Sequence, residues 1–390
     1  MITACVRSRE LAAVERLGVL VLVARNGPRG TSESFHPVPR ILREATVVRG
    51  RNIVHRAVVS GHICADLYPK LGGQERIIPG AIVDVGPLTI FPGGCVANTG
   101  RDLHSLGVPV QLVGDVGDDE LGSSLVHMLS ETGLDCQGVR RVSGAATSYS
   151  LVFEPPGRDR AFWHHVGANS SFDGARVTPD RADLVHLGYP PLLPAMYAAG
   201  GAALQSLLAR IRQSGATTSL DLSTVAAGSR AAQVDWEGLL TRTVPLVDVL
   251  SPSVDDVVSA LRIARPESGA GTRELARRLL GLGAAAVLLT DGARGMHLLT
   301  ASTDRFCRAG RCFAERDRDW ADREFFLPAS AIRHPVTTGA GDAATAGLLY
   351  GVLSAASAGE AASIAARFAA FKVEGGGGPD FSVSQGAGDS

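Results

Sequence analysis

From Ala57 onward, short β-rich runs alternate with helical patterns for more than two hundred residues, and this constrains the fold more than any other feature. Val58–Asp66 reads as a strand ending in a carboxylate, and Val110–Gly114 as a short buried strand. Asp183–Leu187, Thr218–Leu222, Val247–Leu250 and Ala285–Thr290 read as further strands. Between them the apolar spacing changes to the helical period over Cys95–Leu106, Leu121–Ser130, Ala202–Gln213, Val254–Ile263 and Arg273–Leu280. Gly107 supplies a C-terminal stop for the first of these helices. Strands that alternate with helices predict a mostly parallel sheet covered by helices.

Two regions break the alternation. Ile77–Gly86 looks extended and partly exposed, and Ser148–Phe153 and Arg160–His165 flank Pro155-Pro156-Gly157, the sign of a hairpin. Segments 66–92 and 146–168 are therefore expected to form a separate small sheet over one end of the domain. Residues 301–327 carry mixed Arg and Asp charges and read as a solvated excursion. Residues 1–55 show Arg clusters and no sustained periodicity, and are read as a poorly ordered extension ahead of one domain spanning 56–390.

Composition excludes several classes of function. The 45% hydrophobic and 20% charged content supports a sizeable core, and the net charge of −1 leaves no basic surplus for nucleic acid or an anionic membrane. No apolar run reaches membrane-spanning length. Leu17–Ala24 is too short, and too closely preceded by Glu10 and Glu15, to make a good signal peptide. Six scattered cysteines suit a reduced, cytoplasmic setting. Cys307 and Cys312 find no second ligand pair for a metal.

Chemistry concentrates near the end of the chain, in Thr337-Thr338-Gly339-Ala340-Gly341-Asp342 and the small-residue helix after it. Glycines flanking an alanine let backbone N–H groups crowd around an anion, and the helix points its positive end at the same place. A carboxylate there, Asp342, suits removal of a proton from a hydroxyl that attacks the anion. Taken alone such turns are common, and many bind nothing. A second glycine pair, Gly93-Gly94, precedes Asn98. That amide offers a donor and an acceptor to a polyol, or else caps local backbone at the start of its helix.

Together with Gly107 and Val113-Gly114-Asp115-Val116-Gly117-Asp118, these motifs resemble the ribokinase-like (PfkB) family of sugar and nucleoside kinases, over roughly residues 56–385. The resemblance implies a doubly wound α/β domain with a β-sheet lid, using ATP and Mg2+. By residue, it makes Asp342 the catalytic base and Gly339, Ala340 and Gly341 the anion hole. It makes Asp66, Gly93, Gly94 and Asn98 contacts to a small sugar substrate, and Gly167-Ala168-Asn169 a tripeptide at the lid's return. It lays Thr290, Gly292, Gly295 and Thr338 along the nucleotide. Ser253 and Asp256 stand where the family carries Asn and Glu, so Asp256 would serve magnesium through water. Val336 replaces the Asp that supports a monovalent-cation site in the family, which puts potassium activation in doubt. A homodimer through the lid is also implied. A nucleoside kinase of the same fold is the alternative, weakly disfavoured by few lid aromatics (Phe91, Phe153, Phe162, Trp163). A non-catalytic sugar- or nucleotide-binding regulator is a further one.

Overall fold

A computed structural model describes residues 55–72, 79–154, 161–332 and 338–375. The reading of residues 1–54, the turn at 155–159, and Val336 and Thr337 lie outside these residues. In chain order the strands are β1 (Ala57–Gly61), β2 (Cys64–Pro69), β3 (Leu88–Gly93), β4 (Val110–Gly117), β5 (Asp135–Val142), β6 (Tyr149–Phe153), β7 (Ala161–His165), β8 (Leu184–Gly188), β9 (Thr217–Leu220), β10 (Val249–Leu250), β11 (Ala286–Thr290), β12 (Met296–Thr300) and β13 (Glu324–Leu327). The main helices are α1 (Gly94–Ser105), α2 (Glu120–Glu131), α3 (Ala202–Gln213), α4 (Trp236–Thr243), α5 (Val254–Leu261), α6 (Gly269–Gly281), α7 (Ala340–Leu353) and α8 (Ala358–Val373).

Nine strands form one sheet in the order β13-β12-β11-β10-β9-β8-β1-β4-β5. The pairings from β11 to β5 are parallel, whereas β12 and β13 add antiparallel at one edge. Alternate residues face opposite sides, as strand geometry requires. In β1, Ala57 and Val59 join one apolar cluster and Val58 the other; in β11, Ala286 and Leu288 oppose Val287 and Leu289. Residues of α1, α2, α7 and α8 fill the first cluster and residues of α3, α4, α5 and α6 the second. A sheet buried on both faces explains why these strands read as continuous apolar runs.

Helix α7 is buried almost all round, from Asp342 through Leu353 with only Tyr350 partly exposed. Its small residues permit this. A Cβ on Gly347 would lie 2.8 Å from Ala365 Cα, and one on Gly351 would lie 2.6 Å from Ala361 Cβ. The glycines thus let α7 and α8 pack backbone to backbone.

The second sheet has the order β3-β2-β6-β7. It is the expected lid, with two differences. The run 58–66 is two strands in two sheets: β1 ends at Gly61, and Asp66 lies within lid strand β2. The described part of 77–86 forms no strand, and the lid strand begins only at Leu88. A third expectation holds only in part. Most residues of 301–327 are exposed or half-exposed, but Phe306, Phe313 and Trp320 are buried and mutually in contact. Arg305 is drawn in to Asp248, with Nη1 and Nη2 each 3.1 Å from Oδ1. Charge composition misled because that arginine is paired and the apolar residues between the charges reach the sheet.

Candidate active site

His62, Tyr189, Asp221 and Thr290 lie at the carboxyl ends of parallel strands, where open α/β sheets place their clefts, and the lid and the starts of α1 and α7 supply the other site residues. At the end of β1, Gly61 adopts φ +118°, and a Cβ there would meet Gly188 O at 1.8 Å. This contact brings the ends of β1 and β8 together, and His62 N donates to Gly188 O at 2.7 Å. The glycine pair at the start of α1 works similarly. A Cβ on Gly93 would sit 2.1 Å from Asp66 Oδ2, and one on Gly94 would sit 2.6 Å from His62 Nδ1. The space that these glycines leave is filled by the Asp66 carboxylate and the His62 ring, so they shape the site by seating those two side chains.

Asp342 occupies the first turn of α7 and is 5% exposed. Three side chains converge on it. Asn98 Nδ2 donates to Oδ2 at 3.0 Å, Thr99 Oγ1 donates to Oδ1 at 3.0 Å, and Tyr189 OH donates to Oδ1 at 2.5 Å. Burial pushes the Asp342 carboxyl above its ordinary range, while the three donors and the Lys372 charge pull it back. Beside it the helix start is open: Gly339 is left-handed at φ +74°, and a Cβ on Gly341 would touch nothing within 4 Å. Backbone N–H groups and a helix dipole facing open space suit an oxyanion or phosphate. Lys372, from the last turn of α8, lies behind Gly339 and pairs with buried Asp102 at 3.3 Å. Asp102 is itself pushed up by burial, and Lys372 opposes the shift.

Asp66 is half-buried on the lid, and its Oδ1 accepts from Cys64 Sγ at 3.4 Å. Burial raises its carboxyl to about 6. Asn98 is held at both ends, because its Oδ1 accepts from Arg101 Nη2 at 3.3 Å. Asn169, in the loop that leaves the lid, spends its amide on Ile63, donating to its carbonyl at 2.9 Å and accepting from its N–H at 3.4 Å. That tripeptide is a clamp between lid and main sheet.

On the nucleotide side, Thr290 ends β11 and is followed by a turn with Gly292 at φ +53° and Gly295 at φ +98°. The two glycines differ. Space beside Gly292 is open, whereas a Cβ on Gly295 would meet Leu327 O at 2.2 Å, so Gly295 serves the β12–β13 packing. Thr338 immediately precedes α7's left-handed Gly339. Asp256 is the third residue of α5 and closes a capping box, accepting from Ser253 N at 2.8 Å and from Ser253 Oγ at 2.7 Å. Its other oxygen accepts from Thr224 Oγ1 at 3.1 Å. Near it lies Asp221, just beyond β9, buried and raised well above the carboxylate range by burial and by the charges of Asp256 and Asp342. A buried carboxylate raised by the charge of a neighbouring one forms with it a donor set suited to a divalent cation, and among the described residues Asp221 Oδ1 accepts from the adjacent Leu222 N–H. Among the described residues, however, no three acidic, His or Cys side chains close into a direct metal cage.

The structure therefore brings Asp66, Gly93, Gly94, Asn98, Asp342 and the Gly339–Gly341 turn into one neighbourhood. It also adds Thr99, Tyr189, Asp221 and Lys372, which the sequence reading did not single out. Thr99 adjoins Asn98 in a recognised motif and was within reach. The other three belong to no local pattern.

A family model described as "pfkB family carbohydrate kinase" matches residues 54–383. The bifunctional protein HldE of Geotalea uraniireducens (strain Rf4) is 29% identical over 331 residues, covering 83% of this chain and 60% of that protein. Probable fructokinase-4 of Arabidopsis thaliana is 28% identical over 124 residues, 32% of this chain and 35% of that one. The chain thus spans less than two thirds of either relative. The structure of Arabidopsis thaliana ribokinase complexed with ribose and ATP superposes with a TM-score of 0.61 at 20% identity, over 83% of this chain and 93% of that chain. At that identity the likeness speaks for the fold.

Proposed function

The chain belongs to the pfkB family of carbohydrate kinases, and from that premise we propose that it transfers the γ-phosphoryl group of ATP to a hydroxyl of a small sugar, with Asp342 as general base. The observation that carries this reading is the setting of Asp342: a buried carboxylate beside an open helix N-terminus, held by donors from the acceptor side.

An acceptor hydroxyl reaching Asp342 gives up its proton as its oxygen attacks phosphorus. The N–H groups of Gly339, Ala340 and Gly341, with the α7 dipole, stabilise charge on the transferring oxygens. Lys372 adds a fixed positive charge behind them. Asp66, Gly93, Gly94 and Asn98 define the sugar side, and Thr290, Gly292 and Thr338 border the nucleotide, with Gly295 fixing that turn against the end of β13. Asp256 and Asp221 would hold magnesium through water, and when bound it supplies charge neutralisation on the phosphates. The lid, once closed, excludes water and so protects ATP from idle hydrolysis.

Among the described residues no helix is long and apolar enough to cross a membrane. The five described cysteines are free thiols, which suits the cytoplasm. Leu88, Phe162 and Trp163 are about half exposed on the lid and offer a homodimer an apolar surface.

The test is ADP release from MgATP across a panel of sugars, for the wild type and Asp342→Asn. Turnover that falls by ~10²-fold or more in the variant is expected for loss of a general base. Turnover near wild type would remove Asp342 from the mechanism.

A further inference from the structure

Across the lid sheet, Phe91, Asp66, Ser150 and His164 stand opposite one another in register, one on each strand, and so share a face. This is the face on which Asp66 approaches Gly93 and the active site. Ser150 Oγ and His164 Nδ1 are 3.1 Å apart. The His164 ring meets His62, with centroids 5.1 Å apart, and His62 in turn meets the ring of Tyr189 at 5.9 Å. Tyr189 is bonded to Asp342. A continuous strip of side chains thus runs from the lid to the carboxylate at the reaction centre.

Among the described residues, three ring nitrogens of this strip find no partner: Nδ1 and Nε2 of His62, which is 2% exposed, and Nε2 of His164. Buried polar atoms are rarely left unpaired, and at a functional site the missing partner is commonly the ligand. We propose that His62 and His164 form the second recognition point for the acceptor, hydrogen-bonding hydroxyls of an uncharged sugar rather than a carboxylate or phosphate. This rests on the kinase reading above and names its substrate class.

The chemistry of the strip selects against anions. Burial lowers both imidazoles, His62 well below its ordinary value and His164 to about 4, so both rings are neutral at neutral pH. A neutral imidazole offers one donor and one acceptor, which matches a hydroxyl, whereas an anion offers acceptors only. Asp66, whose carboxyl at about 6 is mostly ionised at neutral pH, adds negative charge beside the same strip. Of two nearby cations, Lys372 is paired with Asp102, and Arg101 donates to Asn98 and faces the Asp66 charge.

The experiment compares free hexoses and pentoses with sugar acids and sugar phosphates, for the wild type, His164→Phe, His164→Gln and Asp342→Asn. ADP release and sugar-induced thermal stabilisation are both recorded. An uncharged sugar should give the highest kcat/KM. His164→Phe should raise its KM roughly tenfold or more, the scale of one lost hydrogen bond, and leave the KM for ATP unchanged. His164→Gln, which keeps a donor and an acceptor, should recover most of the loss. Higher kcat/KM on a sugar acid or phosphate, or an unchanged acceptor KM in His164→Phe, overturns the assignment. If no sugar is phosphorylated, the kinase reading fails by itself. In that case stabilisation by an uncharged sugar that is lost in His164→Phe still supports the subsite, and no stabilisation by any uncharged sugar overturns it.

Discussion

Replacing Tyr189 by Phe removes one oxygen from the active site and makes a directional prediction. The Tyr189 hydroxyl donates to Asp342 Oδ1 at 2.5 Å, and the acceptor is a buried carboxylate. A hydrogen bond to a charged group contributes roughly 1.5–3 kcal/mol. That bond exists only in full strength when Asp342 is ionised, so it favours the ionised form and opposes the upward push of burial. Without it the protonated acid gains. At 1.36 kcal/mol per pH unit, the acid limb of kcat/KM should move to higher pH by roughly one to two units. A general base must be ionised, so the variant loses activity first on the acid side and approaches the wild type on the alkaline plateau. Asn98 and Thr99 still hold the carboxylate, so gross misplacement of Asp342 is not expected. The assay is kcat/KM for the acceptor against pH, with melting temperature followed in parallel. An acid limb that stays where it is in a folded Tyr189→Phe protein would refute either the bond or the role of Asp342 as base.

Two more substitutions probe the surrounding architecture. Gly93→Ala places a methyl where Asp66 Oδ2 now lies, 2.1 Å away, so Asp66 must move; KM for the acceptor should rise by roughly tenfold while KM for ATP holds, and steady-state kinetics with each substrate varied will decide. Gly347→Val forces a branched side chain against the Ala365 backbone, 2.8 Å from its Cβ position; a loss of roughly 1–3 kcal/mol in urea unfolding is expected, and an unchanged midpoint would mean that α7 and α8 do not pack this closely.

The parts of the site that were legible share a cause. Gly94 and Gly339 adopt left-handed φ of +79° and +74° at the two helix starts, a requirement set within their own turns, and Asn98 and Asp342 sit at fixed offsets from them on helices. Local rules of turn and helix start can therefore be read in one dimension. Tyr189 and Lys372 obey no such rule. Tyr189 reaches Asp342 across 153 residues, and Lys372 reaches Asp102 across 270. Asp256 could be found by position, but only the structure reveals its carboxylate closing the cap on Ser253. The partial misreading of 301–327 has the same origin, because pairing of Arg305 with Asp248 and burial of Trp320 depend on elements distant in sequence.

What the order of residues determined by itself was the succession of elements, the small-residue helix α7 and the two glycine-rich helix starts, since periodicity and backbone freedom are properties of short segments. Tertiary structure decided which strand Asp66 joins, which rings line the lid and which donors reach Asp342. Those outcomes depend on sheet order and helix packing, which bring together groups that no local interaction links.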